Sequence, residues 1–365
     1  MPSTGVFVDD EDKIYAALLT TRGELVFDHQ EVLPLTEQAL AIRALEPTVV
    51  ALDYRLDEVV QNIAAEHTYK GSALAQLLRD YAISAPENDF AIVLVSNEQK
   101  LEALYVPDKT AHDLFDLVYS KRQVTDHKDR VANEVRALSE GYLQLRGLTP
   151  RFDPFEVLAA EEDDRDRLST QEITTAFERA SAPHIAAKIV LRHFIERPGL
   201  LIDDADAAAL LGLTAVSFEQ IAGALSAANL QYRGVFARGW RRWWTQRLEA
   251  WGEGAIGQAL LAMTSSERAA AFSRHLGQQL APAKSPWNGS EDEYSAFACA
   301  SCRRPTEMRH SLAAFDPTAP KFATRRRICW DCIQTDRYSE PPARLLVDES
   351  DEPLIETVRR RSRKA

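Results

Sequence analysis

The sequence has 365 residues, a net charge of −12, 45% hydrophobic residues and 27% charged residues. This composition excludes collagen-like, low-complexity and wholly disordered chains, and the length favours two or three domains over one. No apolar run approaches the roughly 18 residues needed to cross a bilayer, and the N-terminus lacks a basic and apolar leader, so we expect a cytoplasmic protein without membrane contacts.

Apolar runs alternate with helical patterns over residues 1–148. The clearest runs, residues 48–52 and 90–95, lack polar alternation, which is typical of strands buried on both faces. Residues 126–146 carry apolar side chains at spacings of three and four, which predicts a long amphipathic helix. The alternation of buried strands with helices predicts an α/β domain built on a doubly wound parallel sheet.

Polar side chains stand at the ends of four of the predicted strands: Asp9 and Asp10, Asp53, Ser96, and Lys121. Because the carboxyl ends of parallel strands lie along one edge of a sheet, we expect these side chains to meet in one crevice. Three neighbouring carboxylates repel one another, and Mg²⁺, which prefers oxygen ligands, would relieve that repulsion. Asp53 is then a candidate nucleophile toward phosphorus, with Ser96 and Lys121 contacting the phosphoryl oxygens.

The segments VFVDDE, VVALDYRLDE, IVLVSN and LVYSK, in this order, resemble the four signature strand ends of response-regulator receiver domains. The resemblance covers residues 1–148 and implies a five-stranded flavodoxin-like domain in a two-component phosphorelay. It implies that Asp53 accepts a phosphoryl group from a histidine-kinase-like protein, and that Asp9, Asp10 and Asp53 hold Mg²⁺. It also implies that Ser96 is the switch hydroxyl and that Lys121 pairs with the phosphate. Enzymatic activity would be limited to assisting the domain's own phosphorylation and dephosphorylation.

The sequence departs from the receiver pattern beside the acceptor and beside the lysine. Receivers usually have Met-Pro three and four positions after the acceptor, where this chain has Leu56 and Asp57, and proline after the lysine, where it has Arg122. Val118 occupies the usual position of an aromatic switch residue, and Tyr119, one position later, would face the other side of the strand. The alternative is therefore a degenerate receiver that serves as a phosphorylation-independent adaptor.

The middle of the chain is predicted to be helical. Residues 149–168 resemble a linker, and an α-helical domain follows over 169–280, in which 203–211 and 217–227 are a candidate helix-turn-helix. The second helix offers one acid and no base, so protein binding or an architectural role is favoured over DNA readout. The segment 237–251 predicts a helix with a tryptophan stripe, for which packing or an interface is favoured over binding of single-stranded nucleic acid.

Two CxxC pairs, separated by 26 residues, contain all the cysteines: Cys299, Cys302, Cys329 and Cys332. Four thiolates complete a tetrahedral site with no open position, so we expect a structural Zn²⁺ ion in a small module over residues 294–340. The module resembles zinc ribbons in general. Residues 281–293 are predicted to form a second linker, and residues 341–365 a disordered basic tail.

Arginines surround the cysteines, namely Arg303, Arg304, Arg325, Arg326 and Arg327. Such a rim suits the phosphates of a nucleic acid or an acidic protein surface. We interpret the chain as a two-component signalling protein whose helical and zinc-ribbon parts serve output or docking. Its signature also resembles divergent response-receiver proteins encoded with kinase-like ATPases in bacterial conflict systems, which gives an antiphage hypothesis. The alternatives are the adaptor and a DNA-binding transcriptional regulator.

Overall fold

The computed structural model describes residues 2–56, 68–340 and 343–360, and the chain forms two compact units. The first unit comprises Met1–Leu191 with Arg233–Trp240, and the second comprises Arg192–Tyr232 with Arg241–Ala365. Asp57 and the ten residues after it lie outside the described residues, as does the end of the basic tail, residues 361–365. In the described part of the chain, no helix is long and apolar enough to cross a membrane.

A five-stranded sheet forms the centre of the first unit, with the strand order β2-β1-β3-β4-β5. The strands are β1 (Ser3–Val8), β2 (Leu25–Gln30), β3 (Val49–Leu52), β4 (Ala91–Ser96) and β5 (Leu117–Ser120). All four pairings are parallel, and every residue of β3 and β4 is buried. Burial on both faces explains the apolar runs without alternation, and the predicted doubly wound α/β sheet is confirmed.

Helices pack on this sheet: α1 (Ile14–Leu19), α2 (Leu35–Ala44), α3 (Gly71–Ser84), α4 (Glu98–Lys100), α5 (Lys121–Asp126) and α6 (Lys128–Leu148). Helix α6 matches the amphipathic helix predicted over 126–146, and it buries the apolar stripe that includes Val131, Val135 and Tyr142. A break at His127, whose backbone leaves the helical region, separates α5 from α6.

The segment 149–168 is structured, in contrast to the linker that the sequence predicts. It contains α7 (Pro154–Leu158) and α8 (Arg165–Leu168), and α9 (Gln171–Glu178) and α10 (Pro183–Ile189) follow it in the first unit. Asp153 caps α7 by accepting a hydrogen bond from the Phe155 N–H at 2.9 Å, and Val157 is fully buried. The prolines and acids that suggested a linker therefore start helices, because proline fits the first helical position and aspartate caps the N-terminus.

A buried carboxylate, Asp89, ties α10 to the rest of the first unit. Its Oδ2 lies 2.7 Å from the His184 backbone nitrogen and 2.7 Å from His184 Nδ1, and its Oδ1 lies 3.2 Å from the Arg79 guanidinium. Burial alone would raise the pKa of Asp89, but hydrogen bonds from His184 and the charge of Arg79 lower that pKa below its ordinary value. The ionised form of Asp89 is thus part of the folded state.

We expect His184→Ala to lower the free energy of unfolding by about 1.5–3 kcal/mol at pH 7, because the Asp89 carboxylate loses the hydrogen bond from the imidazole and keeps only the one from the backbone N–H. A carboxyl whose pKa is lowered by folding adds stability above its unfolded pKa of about 3.9 and loses it as the pH falls through the folded pKa. The difference between the variant and the wild type should therefore shrink below about pH 4. Urea unfolding from pH 7 to pH 3 measures it, with His127→Ala, at an exposed histidine, as the control. A difference that stays constant with pH would contradict this account.

In its described residues, the second unit combines six α-helices with short strands. The helices are α11 (Asp204–Leu210), α12 (Ala215–Ala227), α13 (Thr245–Ile256), α14 (Ser265–Leu276), α15 (Trp330–Gln334) and α16 (Glu352–Arg360). The strands are β6 (Leu201–Ile202), β7 (Trp243–Trp244), β8 (Phe297–Ala298), β9 (Pro305–Thr306), β10 (Ser311–Ala313) and β11 (Arg327–Cys329). They pair antiparallel as β6 with β7, β8 with β9 and β10 with β11. Helices α11 and α12 match the predicted helix pair.

The prediction of one helix over 237–251 is wrong in its first half. Trp243 and Trp244 form β7, and the helix begins only at Thr245. The Trp243 ring is fully buried, and its Nε1–H donates to Asp204 Oδ1 at 2.7 Å. Arg241 binds the same Asp204 carboxylate. A strand beside α11 thus gives the indole both burial and an acceptor, and the tryptophans act in packing.

The predicted domain boundaries also differ from the structure. The helices of the predicted domain over 169–280 divide between the units, with α9 and α10 in the first and α11 to α14 in the second. In the predicted linker over 281–293, Trp287 is buried. In the predicted disordered tail, residues 352–360 form α16, which buries Ile355 and Val358 in the same apolar cluster as the cysteines. Apolar side chains three positions apart give this charged helix a face to bury.

Candidate functional site

The register of the parallel strands brings the predicted site residues to one edge of the sheet. Val8 pairs with Leu52, which sets Asp9 beside Asp53, and Ser96 pairs with Ser120, the residue before Lys121. The carboxylates of Asp9, Asp10 and Asp53 each offer an oxygen within 4.8 Å of the others. Lys121 Nζ lies 2.8 Å from Asp9 Oδ2 and 4.0 Å from Asp53 Oδ2. The structure therefore brings all five predicted residues of this crevice together.

Backbone hydrogen bonds fix one oxygen of each key carboxylate. The Tyr54 N–H donates to Asp53 Oδ1 at 2.6 Å, and the N–H groups of Glu11 and Asp12 donate to Asp9 Oδ1 at 2.8 Å. The Oδ2 atoms of Asp9 and Asp53 are buried and, in the described part of the chain, accept no well-aligned hydrogen bond. Asp53 Oδ2 is therefore left for a cation or an incoming group at the centre of the crevice, whereas Asp9 Oδ2 already faces Lys121 Nζ at 2.8 Å.

Helix α3 begins directly against the loop that carries Asp53. A Cβ atom on Gly71 would lie 2.1 Å from the backbone carbonyl oxygen of Asp53, which is far inside van der Waals contact. Only glycine allows the start of α3 to approach the loop this closely. The glycine thus helps to fix the backbone that carries Asp53.

Burial sets the protonation behaviour of the two central groups. It raises the pKa of Asp53, and the neighbouring Asp9 charge adds to this, although the Ser96 hydroxyl and the two nearby lysines act in the opposite direction. For Lys121, burial alone would lower the pKa, but the Asp9 carboxylate, with Asp53 and Asp12, raises it above its ordinary value. Lys121 therefore remains a cation, and further positive charge would favour the ionised form of Asp53.

Lys100 is a site residue that the sequence analysis does not identify. Its Nζ lies 3.5 Å from Asp53 Oδ2 and 3.9 Å from Glu11 Oε2, and its side chain is largely buried. Asn97 caps α4 by accepting a hydrogen bond from the Lys100 N–H at 2.9 Å, which places the lysine one turn beyond Ser96. The signal in the sequence is the Ser96-Asn97 pair, a strand end followed by a helix cap.

The donor set of the crevice fits Mg²⁺. Asp9, Asp10 and Asp53 supply only oxygen ligands, and the buried Asp53 Oδ2 accepts no well-aligned hydrogen bond from the residues that the structure describes. A hard cation of this kind takes one or two carboxylates and fills its remaining positions with water and phosphate oxygens. The three acids are therefore the residues that would hold the ion.

The two positions of the aromatic switch region face different surroundings. Val118 packs partly buried against the apolar cluster of the sheet. Tyr119 is buried elsewhere, and its hydroxyl donates to Glu134 Oε2 at 2.5 Å on α6. Tyr119, the aromatic residue of β5, is thus held by α6 rather than placed beside the crevice of Asp9 and Asp53.

The four cysteines form a second cluster, in the second unit. The sulfur atoms of Cys299 and Cys332 lie 3.8 Å apart, as do those of Cys302 and Cys329. A tetrahedral Zn²⁺ site with bonds of about 2.3 Å requires sulfur separations of about 3.8 Å. The Cys329 N–H also donates to Cys299 Sγ at 3.2 Å, which supports a thiolate there. The cluster fits a closed structural zinc site.

A neighbouring arginine favours the thiolate form of this cluster. The Cys299 thiol lowers the pKa of Cys302, and Arg304, whose Nε lies 3.4 Å from Cys302 Sγ, adds to that effect. Arg304 in turn binds Asp331, in the first turn of α15. Since metals bind cysteine as the thiolate, this shell of charges prepares the site for a cation.

Four of the five arginines around the cysteines pair within the second unit, and Arg325 is exposed. The pairs are Arg303 with Asp203 and Asp206, Arg304 with Asp331, Arg326 with Asp316, and Arg327 with Ser311. Acids of the same unit therefore balance the charge of Arg303, Arg304 and Arg326. Contact of the arginines with a nucleic acid or a partner stays a prediction.

Comparison with known proteins finds similarity to solved structures alone. No family model matches the sequence, and no curated protein matches it. A LuxR-family response regulator from Aurantimonas sp. SI85-9A1 is 14% identical, with 36% of this chain and 86% of that chain covered and a TM-score of 0.26. The receiver domain of a modulated diguanylate cyclase from Desulfovibrio desulfuricans G20 is 16% identical, with 38% and 98% covered and a TM-score of 0.26. NtrX from Brucella abortus is 18% identical, with 48% and 33% covered and a TM-score of 0.29.

The strand order 2-1-3-4-5 is the flavodoxin-like order, in which ligands bind at the carboxyl ends of the strands. The acidic crevice lies at that edge. The first unit therefore has a flavodoxin-like sheet.

Proposed function

We propose that the first unit is a receiver that accepts a phosphoryl group on Asp53, with Mg²⁺ bound by Asp9, Asp10 and Asp53. The observation that carries this proposal is the buried Asp53 Oδ2, which accepts no well-aligned hydrogen bond in the described part of the chain and lies 3.5 Å and 4.0 Å from two lysine ammonium groups. A nucleophilic carboxylate flanked by cations suits attack on an anionic phosphoryl group.

The residues have distinct tasks in this transfer. Asp53 Oδ2 attacks phosphorus while the bond from phosphorus to the donor nitrogen of a phosphohistidine breaks, and the donor imidazole leaves with that electron pair. The Tyr54 N–H holds Oδ1, so Oδ2 is the attacking atom. Lys121 and Lys100 neutralise the transferred oxygens, and Ser96 donates a hydrogen bond to one of them. Bound Mg²⁺ supplies further positive charge to the same oxygens.

Binding of beryllofluoride, a phosphoryl mimic, tests this proposal. Wild-type protein should bind it only with Mg²⁺ present, and Asp53→Asn should abolish the binding because the mimic bonds to the acceptor carboxylate. Calorimetry measures the binding, and Asp28→Asn, at an exposed aspartate of β2, is the matched control. Wild-type protein that fails to bind, or Asp53→Asn protein that binds equally well, would remove the phosphoacceptor role.

That negative result would leave the phosphorylation-independent adaptor. The structural feature that favours the adaptor is the hydrogen bond between Tyr119 and Glu134, because it holds the β5 aromatic on α6. Arg122 in place of proline after the lysine supports the same alternative. Hydrogen exchange of α4 and β5 with and without beryllofluoride separates the two functions, since a switching receiver should change protection there.

We further propose that the second unit, with Zn²⁺ at its cysteines, serves output or protein docking. A DNA-binding regulator is less well supported, because Glu219, the single charged residue in the first turns of α12, pairs with Arg241. The antiphage setting enters this proposal only through the sequence resemblance. Salt-dependent retention on DNA would favour the regulator over docking.

A further inference from the structure

A third cluster of ligand-type side chains lies beside the cysteines in the second unit. Glu293, Glu307 and His310 each offer one ligand atom, and these atoms all lie within 4.8 Å of one another. Glu307 and His310 are buried, and Glu293 is partly buried. Neither the CxxC pattern nor the receiver resemblance involves these residues, and their spacing in the sequence matches no ligand motif.

Glu307 is the most deeply buried acid of this cluster, and one of its carboxylate oxygens has no hydrogen bond from the described residues. Glu307 is only 2% exposed, and in the described part of the chain its Oε2 atom has no hydrogen bond. Its Oε1 contacts His310 Nδ1, which also lies 3.8 Å from Glu293 Oε1. Burial of an anionic oxygen without a hydrogen bond costs free energy, so this carboxylate needs a cation that a single imidazole proton does not fully replace.

The shell around the cluster holds the three side chains in place. Asn288 Nδ2 donates to Glu293 Oε1 at 2.9 Å, and the Ser311 hydroxyl donates to the Glu307 carbonyl oxygen at 2.6 Å. The His310 ring packs against the Trp330 ring, with ring centroids 5.0 Å apart. The backbone N–H of Trp330 donates to the His310 carbonyl oxygen at 2.9 Å. Outer-shell contacts of this kind orient metal ligands.

The local charge also favours a cation. In the described residues, His310 is the only basic side chain that forms an ion pair with Glu293 or Glu307. A divalent ion would compensate both carboxylates at once and would convert the short carboxylate–imidazole contact into two metal bonds.

We propose that Glu293, Glu307 and His310 form a second metal site in this unit, which binds a divalent first-row transition cation such as Mn²⁺ or Zn²⁺. The mixed set of one imidazole nitrogen and carboxylate oxygens suits such ions better than Mg²⁺ or Ca²⁺, which prefer oxygen alone. Three protein ligands leave at least one coordination position for water or a ligand oxygen, unlike the closed cysteine site.

Electron paramagnetic resonance of Mn²⁺ added to the full-length protein that carries one zinc per chain, at the cysteines, tests the site. Manganese has little affinity for thiolates, so it should leave the zinc at the cysteines. Mn²⁺ in the receiver crevice would have oxygen ligands only, whereas Mn²⁺ bound by His310 should show electron spin echo modulation from a directly bonded nitrogen. The nitrogen signal thus identifies the proposed site even when the receiver site is also filled.

The expected result is a nitrogen modulation in wild-type protein that His310→Gln removes and that Glu307→Gln weakens through an affinity loss of about tenfold or more. Asp292→Asn, at an exposed acid next to Glu293, should leave the signal unchanged. One zinc per chain and an unchanged circular dichroism spectrum show that each variant is folded. Wild-type protein without nitrogen modulation, or a modulation that persists in folded His310→Gln, would overturn the proposal. The wild-type measurement alone decides it if the variants do not fold.

Discussion

Removal of zinc from the four cysteines should unfold the part of the second unit that surrounds them. The thiols lie close enough to repel one another once they are ionised, and the sulfur positions already match a tetrahedral ion. Structural zinc contributes about 10–16 kcal/mol of apparent binding free energy in small zinc-finger peptides, so its loss outweighs the effect of most single substitutions. Short strands such as β10 and β11 have little else to hold them.

Tryptophan fluorescence measures this loss directly. Trp287 and Trp330 lie in the same apolar cluster as the cysteines, with ring centroids 5.5 Å apart, and both are buried. Treatment with a strong chelator should shift their emission to the red, and added Zn²⁺ should reverse the shift. Cys329→Ser should behave like the chelated protein, whereas Ser339→Ala, at an exposed hydroxyl nearby, should behave like the wild type. Purified protein without zinc whose fluorescence and unfolding do not respond to the chelator would contradict the zinc assignment.

The sheet and its acidic edge could be predicted from the sequence because their signals are local. Strands buried on both faces appear as uninterrupted apolar runs, and each site residue follows one of those runs directly. Once β1 and β3 pair in parallel, their register alone places Asp9 beside Asp53. The cysteines were predictable for the same reason, since each CxxC pair supplies two ligands from one turn.

Other features depend on contacts between distant segments, which no local pattern reveals. Lys100 lies 47 positions after Asp53 in the sequence, and the two side chains meet only in the folded chain. Trp243 has helical spacing to its neighbours, yet pairing with Ile202, forty-one positions earlier, makes it part of a strand. The cluster of Glu293, Glu307 and His310 combines two segments whose spacing matches no metal motif.

The substitution Arg79→Met should lower the free energy of unfolding of the first unit by about 3–5 kcal/mol. Arg79 is buried, and its guanidinium lies 3.2 Å from Asp89 Oδ1 and 2.8 Å from Asp116 Oδ2. It also donates to the Phe90 carbonyl oxygen at 2.8 Å and the Leu114 carbonyl oxygen at 3.2 Å. Methionine fills most of the volume but leaves two buried carboxylates and two carbonyls without this donor.

Both carboxylates would keep their other hydrogen bonds. Asp116 Oδ1 keeps the hydrogen bond from the Tyr142 hydroxyl at 2.7 Å, and its Oδ2 keeps the Ile92 N–H at 2.8 Å. Asp89 keeps its hydrogen bonds from His184, so both acids retain other donors but lose the guanidinium that they share. In the variant, protonation of the two acids removes their uncompensated charge at the lowest cost in free energy. The destabilisation should therefore be smaller at pH 5 than at pH 7. The control Arg22→Met, at an exposed arginine, should change stability by no more than about 0.5 kcal/mol. Urea unfolding of both variants at the two pH values measures the effect, and equal stability of Arg79→Met and wild-type protein would mean that the buried ion pairs do not hold α3 to the sheet.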